Sequence, residues 1–360
     1  MALGTFMTYL DNNVVNVALP SIQRDLGLSI EGLEWIASSY ILVFAGLLLA
    51  GGRIADVLGM RGAFFTGLAV FTVASVVAGL AQNQEMLIGA RAVQGIGAAL
   101  LTPASLALLP ALFPDPRERG TAIGIWGGVG ALALAIGLLT GGWLSEHVSW
   151  GWIFLINAPI GIATAVLAAM SIPAGRRAKA RGLDLPGLAA SSLALFALTF
   201  ALIEGESRGW SDGLILTGFG VAAASAIGFV VIESRSANPM MNLSFFRMRV
   251  FSGGLLAMGL WAFGVFGIYF YTAIYMQNVL GFSPTEAGAA FVPMALVMAV
   301  MATLSPRLEA RFGAGRTVAA ALALMAGSVA GIASYGEGTS YWTCCPGSWS
   351  TAWAAACSCR

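Results

Sequence analysis

Leu10–Pro20 reads LDNNVVNVALP, and Asp11 stands inside an apolar run long enough to cross a bilayer. An ionised Asp near the centre of a membrane helix costs roughly 2.5–3.5 kcal/mol on insertion scales. Chains keep such a group where it faces a partner or a watery path, and proton relays are a common setting. Asp11 is therefore the first candidate functional residue, and the chain around it must supply a matching partner.

Composition places the whole chain in the membrane. Of 360 residues, 58% are hydrophobic and 10% charged, with mean hydropathy +0.83; a soluble domain carries about 25% charged residues. The net charge of +1 offers no basic surface for nucleic acid. Apolar runs of the length that spans a bilayer recur at about 1–22, 33–51, 63–81, 86–109, 119–143, 150–172, 186–204, 213–232, 250–276, 286–305 and 316–335, about eleven in all. The first opens almost at Met1, with no cleavable signal peptide and no basic tail before it, so a start upstream of Met1 is the expectation.

Charge placement tests this topology independently. With the N-terminus in the cytoplasm, the inner breaks hold Arg53, Arg61, Arg117, Arg119, Arg176, Arg177, Lys179, Arg181, Arg235, Arg247, Arg249, Arg307, Arg311 and Arg316. The outer breaks hold only Arg24 and Arg208. Fourteen against two is a strong positive-inside bias. The longest basic break, Pro173–Asp184, reads either as a plain cytoplasmic loop or as a linker after a six-helix half. An echo between Gly51–Phe65 and Ser305–Ala319 favours repeated halves, a common plan in transporters.

Several constellations carry candidate chemistry. Gly52, Asp56, Gly59 and Arg61 share a very short cytoplasmic turn, where the two charges could exchange partners as helices shift; a tight turn with solvated charges fits equally well. RAVQGIGAAL, Arg91–Leu100, puts a cation and then glycines in the fourth span. An Arg there must be paired, line a cavity or snorkel outward, and Asp11 is the natural partner. The fifth span carries Gly124/Gly128 and Gly137/Gly141, spacings that allow close helix packing, and Gly142 follows. In the ninth span Phe263, Phe266 and Phe270 share a face with Tyr269 and Tyr271 beside it, read either as lipid-facing or packing aromatics or, with Asn16, as a substrate cavity. His147 is expected in an outer loop and cannot hold a metal alone. A GxxxxGK[ST] loop is absent, which speaks against ATP-driven transport, and no catalytic constellation is visible.

LDNNVVNVALP, GGRIADVLGMRG, the R-x-x-Q-G-x-G of Arg91–Gly97, the glycines through Gly142 and SWGWIFLINAPIG (Ser149–Gly161) occur together and in order. They resemble the fourteen-helix drug:proton antiporters of the major facilitator superfamily, with a likeness running from residue 1 to about 335. The resemblance implies an all-α polytopic membrane protein with two six-helix bundles and two helices inserted between them, about eleven helices being present of fourteen. Residues 1–172 would form the N-terminal bundle, 173–249 the linker and inserted pair, 250–335 an incomplete C-terminal bundle, and 336–360 an atypical tail.

The family also implies a function: proton influx drives export of a hydrophobic or cationic small molecule, often a drug or antibiotic, across the cytoplasmic membrane. Asp11 would be the proton site, Arg91 would assist it, and Asp56 with Arg61 would latch the cytoplasmic side. The expected partners are substrate, protons and lipid, with no cofactor and no obligate protein partner. A facilitator or importer of the same fold, or a truncated non-transporting membrane protein, are the alternatives.

Two departures from the family pattern stand out. The antiporter motif G-x8-G-x3-GP-x2-GG appears as Gly124, Ala133, Gly137, Leu138, Gly141 and Gly142, so Leu138 replaces the proline and its kink is expected to weaken. After Tyr335 the chain turns to a Trp-rich stretch holding all four cysteines, Cys344, Cys345, Cys357 and Cys359. A frame slip with early termination, losing about three helices, is the expectation there; the spacing fits no zinc pattern.

Overall fold

The computed structural model describes residues 1–172, 184–236, 239, 243–294, 296, 297, 300, 301, 308 and 311–333. The four cysteines, most of the basic linker and the tail lie outside these residues. The described chain is helical: α1 (Ala2–Leu26), α2 (Ile30–Leu58), α3 (Met60–Gly79), α4 (Gln84–Leu112), α5 (Pro116–His147), α6 (Trp152–Leu155), α7 (Asn157–Ser171), α8 (Leu185–Arg208), α9 (Gly213–Arg235), α10 (Arg249–Asn278) and α11 (Pro284–Ala290). A helix over Ala314–Ala333 follows. The apolar runs read from the sequence match these helices to within a few residues where they are described; the sixth corresponds to α6 and α7 together, and the tenth is described only in part.

Local chemistry sets the ends. Ser29, Asn83, Asp184 and Asp212 cap α2, α4, α8 and α9 by accepting from Gly32, Met86, Gly187 and Leu214 backbone N–H groups. Ser283 and Glu286 close a capping box on α11. Between α2 and α3 the chain turns on Gly59 alone, with φ 83°, a conformation that only glycine adopts without strain.

Six described helices are long and apolar enough to cross a membrane: the first part of α2, α3, α4, α6 with α7, α8 and α9. α1 is not among them, because Asp11, Asn12, Asn13 and Asn16 lower its mean hydropathy. Its polar side chains need protein partners.

The chain divides into two compact units. One holds Met1–Asn12, Ser21–Trp126 and Ser149–Leu243. In it α4 packs between α2 and α3 around Phe64, Leu68, Phe71, Ala98, Leu101 and Leu108. The α8–α9 pair lies on α2, where Ser192 donates to Gly46 O at 3.0 Å and Trp35 Nε1 donates to Glu204 Oε1 at 3.0 Å.

The other unit holds Asn13–Pro20, Gly127–Val148 and the described residues from Ser244 onward. There Gly141 lies against the backbone of Val14, and Gly288 lies directly on Leu138 O. Gln277 Nε2 donates to Val17 O at 3.2 Å, and the Thr285 N–H donates to Glu146 Oε2 at 3.1 Å. α5 runs unbroken through Leu138.

Candidate functional site

The two glycines of R-x-x-Q-G-x-G explain how a charged site forms in an apolar bundle. A methyl group on Gly95 would stand 2.7 Å from Tyr40 O of α2; one on Gly97 would stand 2.5 Å from the Phe71 amide nitrogen of α3. Without side chains there, α4 seats its backbone against both neighbours. Arg91 and Gln94, three residues apart on one face of α4, then reach α1, α2, α3 and α7 together.

The centre is Asp11, fully buried, paired with the Arg91 guanidinium, itself 1% exposed. Gln94 Nε2 donates to Asp11 Oδ1 at 3.0 Å and to Ser75 Oγ at 2.6 Å, while Gln94 Oε1 accepts from Arg91 Nη1 at 3.0 Å. Asn157 Nδ2 donates to the same Asp11 Oδ1 at 2.8 Å. Arg91 Nε donates to Ile36 O at 3.4 Å, and its guanidinium lies 4.4 Å from the Tyr40 ring centroid and 5.7 Å from that of Phe154. Ser75 passes its own proton to Phe71 O at 2.8 Å.

Such an ion pair is tolerable only because its remaining valences are met. Taking two charges out of water costs several kcal/mol per ion, recovered only with good geometry and extra hydrogen bonds. Here an ionised carboxylate, which can only accept, meets three N–H donors, and the cation rests on aromatic faces. The cluster is a charge-balanced carboxylate and guanidinium, both buried from solvent.

The other residues singled out in the sequence fall elsewhere. Arg61 donates to Ile172 O at 2.6 Å at the end of α7 and lies 5.6 Å from the Phe65 ring, so the described latch cation serves a helix terminus. The Asp56 side chain lies outside the described residues. A methyl group at Gly52 or Gly124 would meet nothing within 4 Å. In the other GxxxG pair Gly141 sits at a close helix approach, and Gly137, Gly141 and Gly142 are all buried. Asn16 is half-buried, whereas Phe263 is 87% exposed in an open apolar groove of α10 with Phe246, Leu256 and Leu260. Phe263 thus faces outward, because residues 256, 260 and 263 share the surface stripe of that helix. The side chains of Phe266, Tyr269 and Phe270 lie outside the described residues. His147 ends α5 and stacks on Trp143 at 5.4 Å, one turn earlier than the loop expected for it.

Sequence reasoning paired Asp11 with Arg91 and missed Gln94, Ser75, Asn157 and Tyr40. Gln94 carried a signal, since i and i+3 share a helix face. Asn157 carried another, as an amide in an apolar run.

An all-helical bundle of apolar spans around a buried carboxylate–guanidinium pair defines a class, polytopic membrane proteins. The model of the Major Facilitator Superfamily matches residues 1–358, past the point near Tyr335 where the motif likeness stops, and the chain belongs to that superfamily. It is similar to a puromycin resistance protein of Streptomyces alboniger, 40% identical over 89% of this chain and 65% of that protein. It also resembles the tetracenomycin C resistance and export protein of Streptomyces glaucescens, 37% identical over 93% of this chain and 62% of that one. A methylenomycin A resistance protein of Streptomyces coelicolor is 36% identical over 95% of this chain and 72% of its own length. The chain thus spans under two thirds of the length of the first two relatives. Among solved structures, a peptide transporter and a D-xylose–proton symporter share the fold at TM-scores of 0.68 and 0.65, with 16% and 15% identity; each covers 99% of this chain, and the match spans 80% and 78% of their own lengths.

Proposed function

We propose that the chain works as a proton-coupled exporter of a hydrophobic or cationic antibiotic-like molecule across the cell membrane, with its N-terminus in the cytoplasm. The buried Asp11–Arg91 pair carries this reading, since a carboxylate kept at such cost is useful where a proton must be bound and released. The similarity to three antibiotic resistance proteins supports the substrate class. Asp11 takes a proton from outside as the substrate leaves, the carrier turns inward, and substrate binding favours release of the proton to the cytoplasm.

The test uses proteoliposomes holding the chain and a pH-sensitive dye. Adding puromycin, tetracenomycin C or methylenomycin A should drive proton movement in the unaltered chain, and Asp11→Asn should abolish it without loss of membrane insertion. Undiminished drug-linked proton movement in Asp11→Asn overturns the assignment. Transport that persists after the gradient is collapsed points to a facilitator.

A further inference from the structure

The Asp11 carboxylate is well supplied with donors when ionised, but a proton needs different surroundings. Once Oδ1 carries a hydrogen it must donate, yet the groups facing it, Gln94 Nε2 and Asn157 Nδ2, are both donors. Some neighbour has to offer an acceptor in place of an N–H.

Gln94 is poorly placed for this. Its Nε2 serves Asp11 and Ser75, and its Oε1 holds Arg91, so turning the amide breaks all three bonds. Ser75 already gives its proton to Phe71 O. Asn157 differs. It opens α7 just after the break at Ile156, is fully buried, and its Nδ2 bonds Asp11 while its Oδ1 has no hydrogen-bond partner. A buried amide oxygen left unmet is unfavourable, and this one belongs to the side chain that touches the titrating atom.

We propose that Asn157 is the proton-responsive switch of the site: its amide donates to Asp11 when the acid is ionised and turns about the Cβ–Cγ bond to accept from Asp11 when the acid is protonated. A proton arriving from solvent adds to Asp11 Oδ1, one N–H···O bond breaks, and one O–H···O bond forms to Asn157 Oδ1. The Arg91 contact to Asp11 Oδ2 remains, now from a cation to a neutral acid rather than an ion pair. One amide group is unmet in each orientation, the oxygen in the first and the N–H in the second, so the amide holds neither state at the expense of the other. Among the described residues the charged or titratable groups facing Asp11 are Arg91 of α4 and Tyr40 of α2; α3 and α7 present Ser75 and Asn157, which do not titrate. The inference rests on Asp11 being the proton site.

Infrared difference spectroscopy of the purified full chain, recorded while the pH is lowered and with asparagine carbonyls isotope-labelled, tests it. Two changes should appear together in the unaltered chain: a protonated carboxyl band grows, and one asparagine side-chain carbonyl shifts to lower frequency as it gains a hydrogen bond. Asn157→Leu should keep the carboxyl band but move it to higher frequency, because the O–H has lost its acceptor, and should lose the carbonyl shift. Should that variant fail to fold, the labelled carbonyl of the unaltered chain decides alone. A titration with no asparagine shift, or a carboxyl band unmoved in Asn157→Leu, overturns the switch while leaving Asp11 as the proton site. A carboxyl band that survives in Asp11→Asn removes the proton site itself, and the switch with it.

Discussion

Replacing Gly97 with alanine tests whether glycine contact on α4 builds the charged site. The new methyl would lie 2.5 Å from the Phe71 amide nitrogen and 2.8 Å from Gly67 O, both backbone atoms that cannot rotate away. Restoring ordinary contact at 3.4 Å requires α3 to retreat by about 0.9 Å. Ser75 lies one turn beyond Phe71 on the same helix, so its 2.6 Å bond from Gln94 stretches to the outer limit of a hydrogen bond. Overpacking of this kind costs about 1–3 kcal/mol, and the lost bond adds about 0.5–1.5 kcal/mol. Alanine returns about 1 kcal/mol of helix propensity, leaving a net loss of about 0.5–3.5 kcal/mol. Gly89→Ala is the matched control, since it lies on the same helix and its methyl would meet nothing within 4 Å. Unfolding of the purified variants in detergent micelles should find Gly89→Ala at least as stable as the unaltered chain and Gly97→Ala clearly weaker. Equal stability of the two variants would refute the account of the α3–α4 contact.

Two further substitutions probe other parts of the molecule. Arg91→Lys keeps the charge but cannot hold Asp11, Gln94 Oε1 and Ile36 O together; losing two bonds of about 1 kcal/mol each should cut drug-linked proton flux about tenfold or more, and undiminished flux would show that the fork is dispensable. Hydrogen bonds from Thr285 hold the Glu146 carboxyl below its usual range. A depressed carboxyl contributes stability above its unfolded value and loses it as pH falls through the folded one, so exchange protection of the Thr285 amide should drop on acidification and lose that pH dependence in Glu146→Gln.

Much of the fold was legible because the apolar runs and the basic residues between them gave independent evidence of the same topology. The Asp11–Arg91 pair was legible from cost alone: two opposite charges, in the first and fourth apolar runs, each need what the other supplies. Ser75 was not, since a lone serine in Phe71–Gly79 has the same local pattern whether it bonds Gln94 or only Phe71 O. Asn157 was hidden for another reason. Its partner lies 146 residues away, and an amide in an apolar run does not say which helix it will face. The aromatic face of α10 could not be resolved from sequence because periodicity identifies a stripe without saying whether protein or surroundings meet it; Phe263 is exposed.

The partners of Asp11 are far away in the chain, and a ribosome makes them late. Asp11 is synthesised 80 residues before Arg91 and 146 before Asn157. At about 5–20 residues per second, its helix waits roughly 4–16 seconds for a counter-charge and longer for the amide. During that interval α1 is a weakly apolar segment holding an unpaired acid, which insertion scales penalise. The acid at the centre of the cluster is therefore also a burden on insertion, and α1 gains its counter-charge only when α4 arrives.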